Sequence, residues 1–146
     1  MDIKELKPTS IWHYFDAITG VPRPSKKEER IREFLLNFAK EQNLEVKVDK
    51  TGNVVITKEA TPGCEGAPTV ILQAHMDMVC EKNGDVKHDF ERDPIETYID
   101  GEWVKARGTT LGADNGIGMA AAMAVLADKE LKHGRIQALF TVDEET

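Results

Sequence analysis

Two apolar runs, each ending in residues with ionisable side chains, constrain the fold of this chain most strongly. The first is PTVILQAHMDMV, residues 68–79, and the second is RIQALFTVDEE, residues 135–145. A continuous apolar run of this kind is typical of a strand that is covered on both faces. The small-residue pattern MAAAMAVLAD, residues 119–128, lies between them and predicts a helix. Strand, helix and strand in this order predict an α/β fold, a mixed sheet with parallel central strands flanked by helices.

The rest of the chain predicts two further helices and two hairpins. A short amphipathic helix spans residues 11–18 and ends before segment 20–24, whose prolines cannot continue it. A second helix runs to about Gln42, and Ser25 with Glu28 matches the capping-box pattern at its start. Period-two alternation on either side of a turn predicts hairpins over residues 44–58 and 95–108.

The charge balance limits the classes of partner. Asp and Glu number 26 against 19 Lys and Arg, which gives a formal net charge of -7. Nucleic acids and anionic membranes require a basic surface, so neither is an expected partner. No segment approaches the ~20 apolar residues of a membrane span, and the first ten residues lack signal-peptide character, which predicts a cytoplasmic protein. Cys64 and Cys80 are expected to be free thiols.

Candidate ligand residues follow both apolar runs. His75 and Asp77 are two residues apart, so in an extended chain their side chains point to the same side. Glu144 and Glu145 are adjacent, and an extended backbone would direct them to opposite sides. Both glutamates can therefore serve one site only if the strand geometry breaks there. Asp114 lies in the glycine-rich loop GTTLGADNGIG, just before the small-residue helix.

Each of these motifs taken alone has an ordinary structural explanation. Asp114 could be a helix N-cap, and the acidic pair could be a solvated loop. Together, however, the motifs bring one His and four carboxylates to the same edge of the predicted sheet, where open α/β folds bind ligands. This donor set suits borderline divalent ions such as Zn²⁺. Two such ions would explain the crowded acids, with one glutamate of the pair binding metal and the other acting as a base.

Nucleotide and calcium binding are weaker interpretations of the same segments. The glycine-rich loop lacks the Gly-Lys-Ser/Thr ending of a phosphate-binding loop. The acidic segment DVKHDFERD, residues 85–93, lacks the glycine that a calcium-binding loop needs at its turn.

Several segments resemble one family of enzymes. ILQAHMDMVCEKN, GTTLGADNGIGMAAAMA and FTVDEET, together with PRPSKKEERIREFL and DKTGNVVI, resemble the N-terminal part of bacterial aminoacyl-histidine dipeptidases. These are also called cytosol nonspecific or carnosinase-like dipeptidases, and they are co-catalytic zinc metallopeptidases. The resemblance implies hydrolysis of Xaa-His and related dipeptides by a di-zinc site, with cobalt or manganese as alternative metals.

The resemblance also implies a role for each candidate residue. His75 would bind one zinc, Asp114 would bridge both ions and Glu145 would bind the second. Asp77 would orient His75, and Glu144 would be the general base. It further implies a cis peptide bond between Asp114 and Asn115.

Members of this family are several times longer than the 146 residues here. The resemblance therefore implies that residues 1–146 are the N-terminal part of a catalytic domain, without the later zinc ligands and without the second, lid or dimerisation domain. A competing hypothesis is a non-catalytic fragment or metal-binding module. An incomplete sheet would leave RIQALFTV as an exposed edge, so a homo-oligomer is also expected.

Overall fold

The computed structural model describes all 146 residues of the chain. A short 3-10 turn at Ile3–Glu5 precedes helix α1, Thr9–Thr19, and helix α2, Glu29–Glu41. The remaining elements are, in chain order, β1 Glu45–Val48, β2 Val54–Lys58, β3 Val70–His75, β4 Thr97–Asp100, β5 Trp103–Ala106, helix α3 Ala113–Ala127 and β6 Ile136–Thr141. None of the three helices combines the length and the apolar character needed to cross a membrane.

The main sheet is mixed and has four strands in the order β1-β2-β6-β3. The β1 and β2 strands form an antiparallel hairpin, and β2 also pairs antiparallel with β6. The β3 and β6 strands are parallel, with Val70 opposite Ile136 and His75 opposite Thr141. The predicted α/β fold and both predicted hairpins are therefore confirmed, the second hairpin forming a separate sheet of β4 and β5.

A single hydrophobic core lies between the helices and the main sheet. Residues of β6 alternate between buried and half-buried positions, and Ile136, Ala138 and Phe140 belong to the buried set. They join a cluster that includes Leu35 of α2 and Met123 of α3. This packing fixes α3 over the parallel strands, so the start of α3 lies near the end of β3.

The start of α2 differs from the prediction. The helix begins at Glu29, and no side chain caps it, because the Ser25 hydroxyl and the Glu28 carboxylate bind residues elsewhere in the fold. The capping-box interpretation was wrong. The pattern of a hydroxyl followed three residues later by Glu does not specify which groups these side chains bind.

The positions of β3 and β6 also correct the prediction. The β6 strand lies between β2 and β3, so the expectation that it would be an exposed edge was wrong. The edge strand on this side of the sheet is β3, and its first half is not covered on both faces, since Val70 and Ile71 are 52% and 61% exposed. Only its last two residues, Ala74 and His75, are buried.

Because one edge of β3 has no neighbouring strand, we expect this chain to self-associate. An unpaired strand edge with apolar side chains recruits other chains, whereas charged side chains protect an edge, as Glu45 and Lys47 do on β1. We expect Ile71→Lys to lower the average mass of the chain in light scattering at high concentration. The matched change Val48→Lys, on the opposite edge, should leave the mass unchanged. A wild-type chain that stays monomeric at all concentrations would contradict the expectation.

Candidate metal centre

Three loops meet at one end of the parallel strand pair. His75 is the last residue of β3, and the neighbouring strand β6 ends opposite it at Thr141, just before the acidic residues 143–145. The third loop leads into α3 and carries Asp114. Parallel strands present their carboxyl ends at the same edge, which brings segments far apart in sequence to one place. The structure thus brings all five predicted site residues together.

His75 is the buried member of the group. Its side chain is 7% exposed, and its Nδ1 lies 2.9 Å from the backbone carbonyl oxygen of Asp77 and 3.2 Å from the Asp77 carboxylate. Its Nε2 lies 2.9 Å from Oδ1 of Asp114. Burial lowers the pKa of the imidazole, but the hydrogen bonds to Asp114 and Asp77 and their charges outweigh it, so the pKa of His75 is raised. Hydrogen bonding of Nδ1 to Asp77 leaves Nε2 as the atom available to a ligand.

Both glutamates approach the same imidazole nitrogen. The distance from His75 Nε2 to a carboxylate oxygen is 3.8 Å for Glu144 and 3.8 Å for Glu145. Ligand atoms of His75, Asp114 and Glu145 all lie within 4.8 Å of one another. The two glutamates differ in burial, because the side chain of Glu144 is 57% exposed and that of Glu145 only 22%.

Three acids of this site have a single basic partner within ion-pair distance. His75 is the only basic side chain that forms an ion pair with Asp114, Glu144 or Glu145. Three carboxylates around one imidazole repel one another unless a cation lies between them. Imidazole nitrogen and carboxylate oxygens are donors that zinc accepts in proteins. The residues present therefore fit a divalent metal site.

The Asp77 carboxylate connects two of the loops. It is fully buried, and it accepts hydrogen bonds from the backbone amides of Glu144, at 3.1 Å, and Glu145, at 3.0 Å. The Ser25 hydroxyl donates a third hydrogen bond, at 2.6 Å. Burial raises the pKa of this carboxyl, but the three donors outweigh it, and the pKa lies below its usual value. Asp77 therefore remains a carboxylate that holds both the imidazole and the glutamate pair.

The strand geometry breaks at Asp143, as a shared site requires. This residue adopts a left-handed conformation, with φ of 56°. Its amide donates to the Glu28 carboxylate at 2.7 Å, and its own carboxylate accepts from the Lys26 amide at 2.8 Å. The turn directs Glu144 and Glu145 to the same side, although they are adjacent in sequence.

The loop before α3 is also irregular. Asp114 and Asn115 have non-helical backbone angles, and the peptide bond between them is cis, as the family resemblance implied. The Asp114 carboxylate accepts no hydrogen bond from a backbone amide of α3. The simpler interpretation of Asp114 as a helix cap is therefore wrong. Its side chain is 84% exposed and faces His75 instead.

The sequence did not indicate that four further residues contact the loops of the site: Arg23, Ser25, Lys26 and Glu28. All belong to the turn between α1 and α2, which was interpreted as a helix terminator followed by a capping box. The segment PRPSKKEE shows only a hydroxyl, an Arg and a Glu among prolines before an amphipathic helix. Nothing in that local pattern specifies distant partners.

The fold and the converging loops define the class of protein. The chain belongs to peptidase family M20/M25/M40, whose family model matches residues 71–146 and so includes all five candidate residues.

Individual relatives agree with this class. Over 144 residues the chain is 53% identical to the cytosol non-specific dipeptidase of Escherichia coli (strain K12), a match that covers 99% of this chain and 30% of that protein. The crystal structure of aminoacylhistidine dipeptidase from Vibrio alginolyticus matches 100% of this chain with a TM-score of 0.98 and 56% identity. The chain covers 30% of that structure. Aminopeptidase PepT from Bacillus cereus matches with a TM-score of 0.74 and 27% identity, over 94% of this chain and 37% of that one.

Glu28 predicts a pH dependence of stability. Burial, together with the neighbouring Asp143 carboxyl, raises the pKa of Glu28 from 4.5 to about 7. The folded chain therefore binds more protons than the unfolded chain between these pH values, so the free energy of unfolding should fall as the pH rises through that window. Glu28→Gln should remove this fall, which we expect to be on the order of 2 kcal/mol.

Chemical denaturation at several pH values, with a chelator present, measures this effect. Glu29→Gln is the matched control, because Glu29 is the adjacent residue and is exposed, and it should retain the wild-type slope. An unchanged slope in Glu28→Gln would show that Glu28 does not take up the proton.

Proposed function

We propose that the whole protein hydrolyses dipeptides, Xaa-His and related ones, with a metal site to which this chain contributes His75, Asp114 and Glu145. The observation that carries the proposal is the convergence of three carboxylates on one buried imidazole, with no other basic side chain in an ion pair with any of them. Membership of a peptidase family and the names of two relatives, a cytosol non-specific dipeptidase and an aminoacylhistidine dipeptidase, support the same substrate class. The chain spans 30% of the length of each of these relatives.

The proposed metal is zinc, with two ions per site and cobalt or manganese as alternatives. His75 would bind one ion, Asp114 would bridge the two and Glu145 would bind the other. Asp114 suits the bridging role because its carboxylate is exposed and faces the Nε2 of His75. This chain would supply two ligands to each ion, whereas a catalytic zinc usually has three protein ligands.

Glu144 is the proposed general base. When bound, two zinc ions would polarise the peptide carbonyl and make a water more acidic. Glu144 is the more exposed glutamate of the pair, so its carboxylate is accessible to water and substrate. Its backbone is held by the Asp77 carboxylate, which limits where its side chain can reach. From that position Glu144 would take a proton from water and deliver it to the leaving amine.

Asp77 would act through His75. Its carbonyl and carboxylate both face Nδ1, so the imidazole presents Nε2 to the metal in a fixed orientation. The same carboxylate fixes the backbone of Glu144 and Glu145, which links the orientation of the imidazole to that of the glutamates.

Further proposals concern the whole protein. Residues 1–146 would form the N-terminal part of its catalytic domain, and the protein would act in the cytoplasm as a homo-oligomer on a dipeptide substrate. The competing proposal is that this chain is a non-catalytic metal-binding module. Assays of β-alanyl-histidine hydrolysis by this chain and by a longer protein that contains it, with zinc and with a chelator, separate the two. Zinc binding without hydrolysis by either protein would favour the module.

The role of Glu144 is tested in the longer protein. Glu144→Gln should lower turnover of β-alanyl-histidine by about 10²- to 10⁴-fold, because the amide cannot accept a proton. The zinc content, measured by atomic absorption, should not change, since Glu144 is not a proposed ligand. The matched control is Glu33→Gln, an exposed position on α2. Loss of zinc in Glu144→Gln would instead make Glu144 a ligand, and retained turnover would exclude it as the base.

A further inference from the structure

We propose that Arg23, Ser25 and Glu28, on the turn between α1 and α2, form one positioning element that sets the spacing of His75, Asp114 and Glu145. The inference rests on the proposed metal site but concerns residues outside its ligand set. All three loops of the site contact this single turn: Arg23 contacts two of them, Ser25 contacts the loop after β3, and Glu28 contacts the glutamate loop.

Arg23 connects the loop after β3 to the loop before α3. Its side chain is fully buried, and the guanidinium donates to the carbonyl oxygens of Met76 at 3.0 Å, Asp77 at 3.3 Å and Gly112 at 2.6 Å. Burial lowers the pKa of Arg23 to about 10, so it stays protonated at neutral pH. A buried charge that serves three carbonyl groups fixes the distance between the segments that carry them.

The approach of Arg23 to the second loop depends on a glycine. Gly112 has φ of 78°, a conformation that favours glycine, and an added Cβ there would lie 2.6 Å from Arg23 Nη2. Gly112 is two residues from Asp114, and its carbonyl also accepts from the Gly116 amide at 2.9 Å. The guanidinium thus holds the backbone on which Asp114 is carried.

The other end of the turn holds the glutamate loop. Ser25 donates to the same Asp77 carboxylate that binds the amides of Glu144 and Glu145. Glu28 accepts from the amide of Asp143, the residue at which the strand geometry breaks. The turn therefore contacts the glutamate loop directly through Glu28 and indirectly through Ser25 and Asp77.

A backbone contact completes the connection to β3. The Met78 amide donates to the Arg23 carbonyl at 3.0 Å, and Pro24 and Met78 form an isolated parallel bridge. Because the turn is attached to the loop after β3 by main chain and side chain, it acts as a common reference for the other two loops. Removing one contact should loosen the corresponding loop and leave the sheet intact.

Amide hydrogen exchange of this 146-residue chain, without metal, tests the positioning role. In Arg23→Lys the ammonium cannot serve three carbonyl groups, so the amides of Met78 and Gly116 should exchange about tenfold faster. In Ser25→Ala the amides of Glu144 and Glu145 should exchange about fivefold faster, and Ser25→Thr should restore the slow rate. Amides between β2 and β6 should change by less than about twofold in every variant, because their ladder does not involve the turn.

Two matched controls accompany these variants. Arg32→Lys alters a half-buried Arg that donates to the Gly52 carbonyl at 3.0 Å, in the β1–β2 hairpin. Ser10→Ala alters the only other serine, which is exposed on α1. Neither should change exchange in the three loops. Uniform acceleration over the whole sheet in Arg23→Lys and Ser25→Ala, or no acceleration in the loops, would overturn the proposal.

Zinc titration of the same chain gives a second readout. If the wild-type chain binds zinc, both variants should bind it about 10- to 100-fold more weakly, whereas the controls should match the wild type. Wild-type affinity in the variants would overturn the positioning role. A wild-type chain that binds no zinc would count against the proposed metal site in this chain and not against the positioning element, which the exchange data decide.

Discussion

The buried Asp77 carboxylate is the interaction on which the rest of the site depends. A buried charge is tolerated only when hydrogen bonds replace the water it has lost, and Asp77 obtains three of them from two separate segments. One donor is a hydroxyl on the turn before α2, and two are amides after β6. Its remaining contact, with His75, orients the imidazole. Each segment is thus held in place because it satisfies the same charge, and a shift of one segment would leave that charge incompletely solvated.

This arrangement explains how the fold tolerates acidic side chains at the end of a buried strand. Asp143, Glu144 and Glu145 would repel one another in an extended strand end. In the structure the three acids point in two directions. Asp143 turns back towards the Glu28 carboxyl, whose pKa is raised by burial and by the nearby Asp143 carboxyl. The other two acids face His75. The raised pKa of Glu28 reduces charge repulsion on one side of the turn, whereas the acids on the other side face His75, where a cation would fit.

The sequence predicted the fold class and the five candidate residues because their signals are local. Apolar runs and helix periodicity depend on neighbours in the chain, and parallel strands bring their ends to one edge whatever their detailed packing. The break of strand geometry at Asp143 was also predictable, since adjacent glutamates cannot otherwise share a site. The partners of Ser25 and Glu28 were not, because a hydroxyl or a carboxylate binds whichever polar group the tertiary structure presents, here the Asp77 carboxylate and the Asp143 amide. The edge position of β3 likewise escaped prediction, because an apolar strand has the same sequence whether a neighbour covers it or not.

The turn between α1 and α2 can hold the loops of the site because it is neither a helix nor a strand. A helix uses its own carbonyl groups and amides internally, and a strand gives them to its neighbouring strands. Neither therefore has backbone groups left to bind separate loops. The prolines at positions 22 and 24 exclude both structures, and Lys26 adopts φ of 70°. The Arg23 carbonyl and the Lys26 amide are consequently free to bind Met78 and Asp143. Irregular backbone at this point is thus what allows one short segment to contact the ends of two strands and the start of a helix.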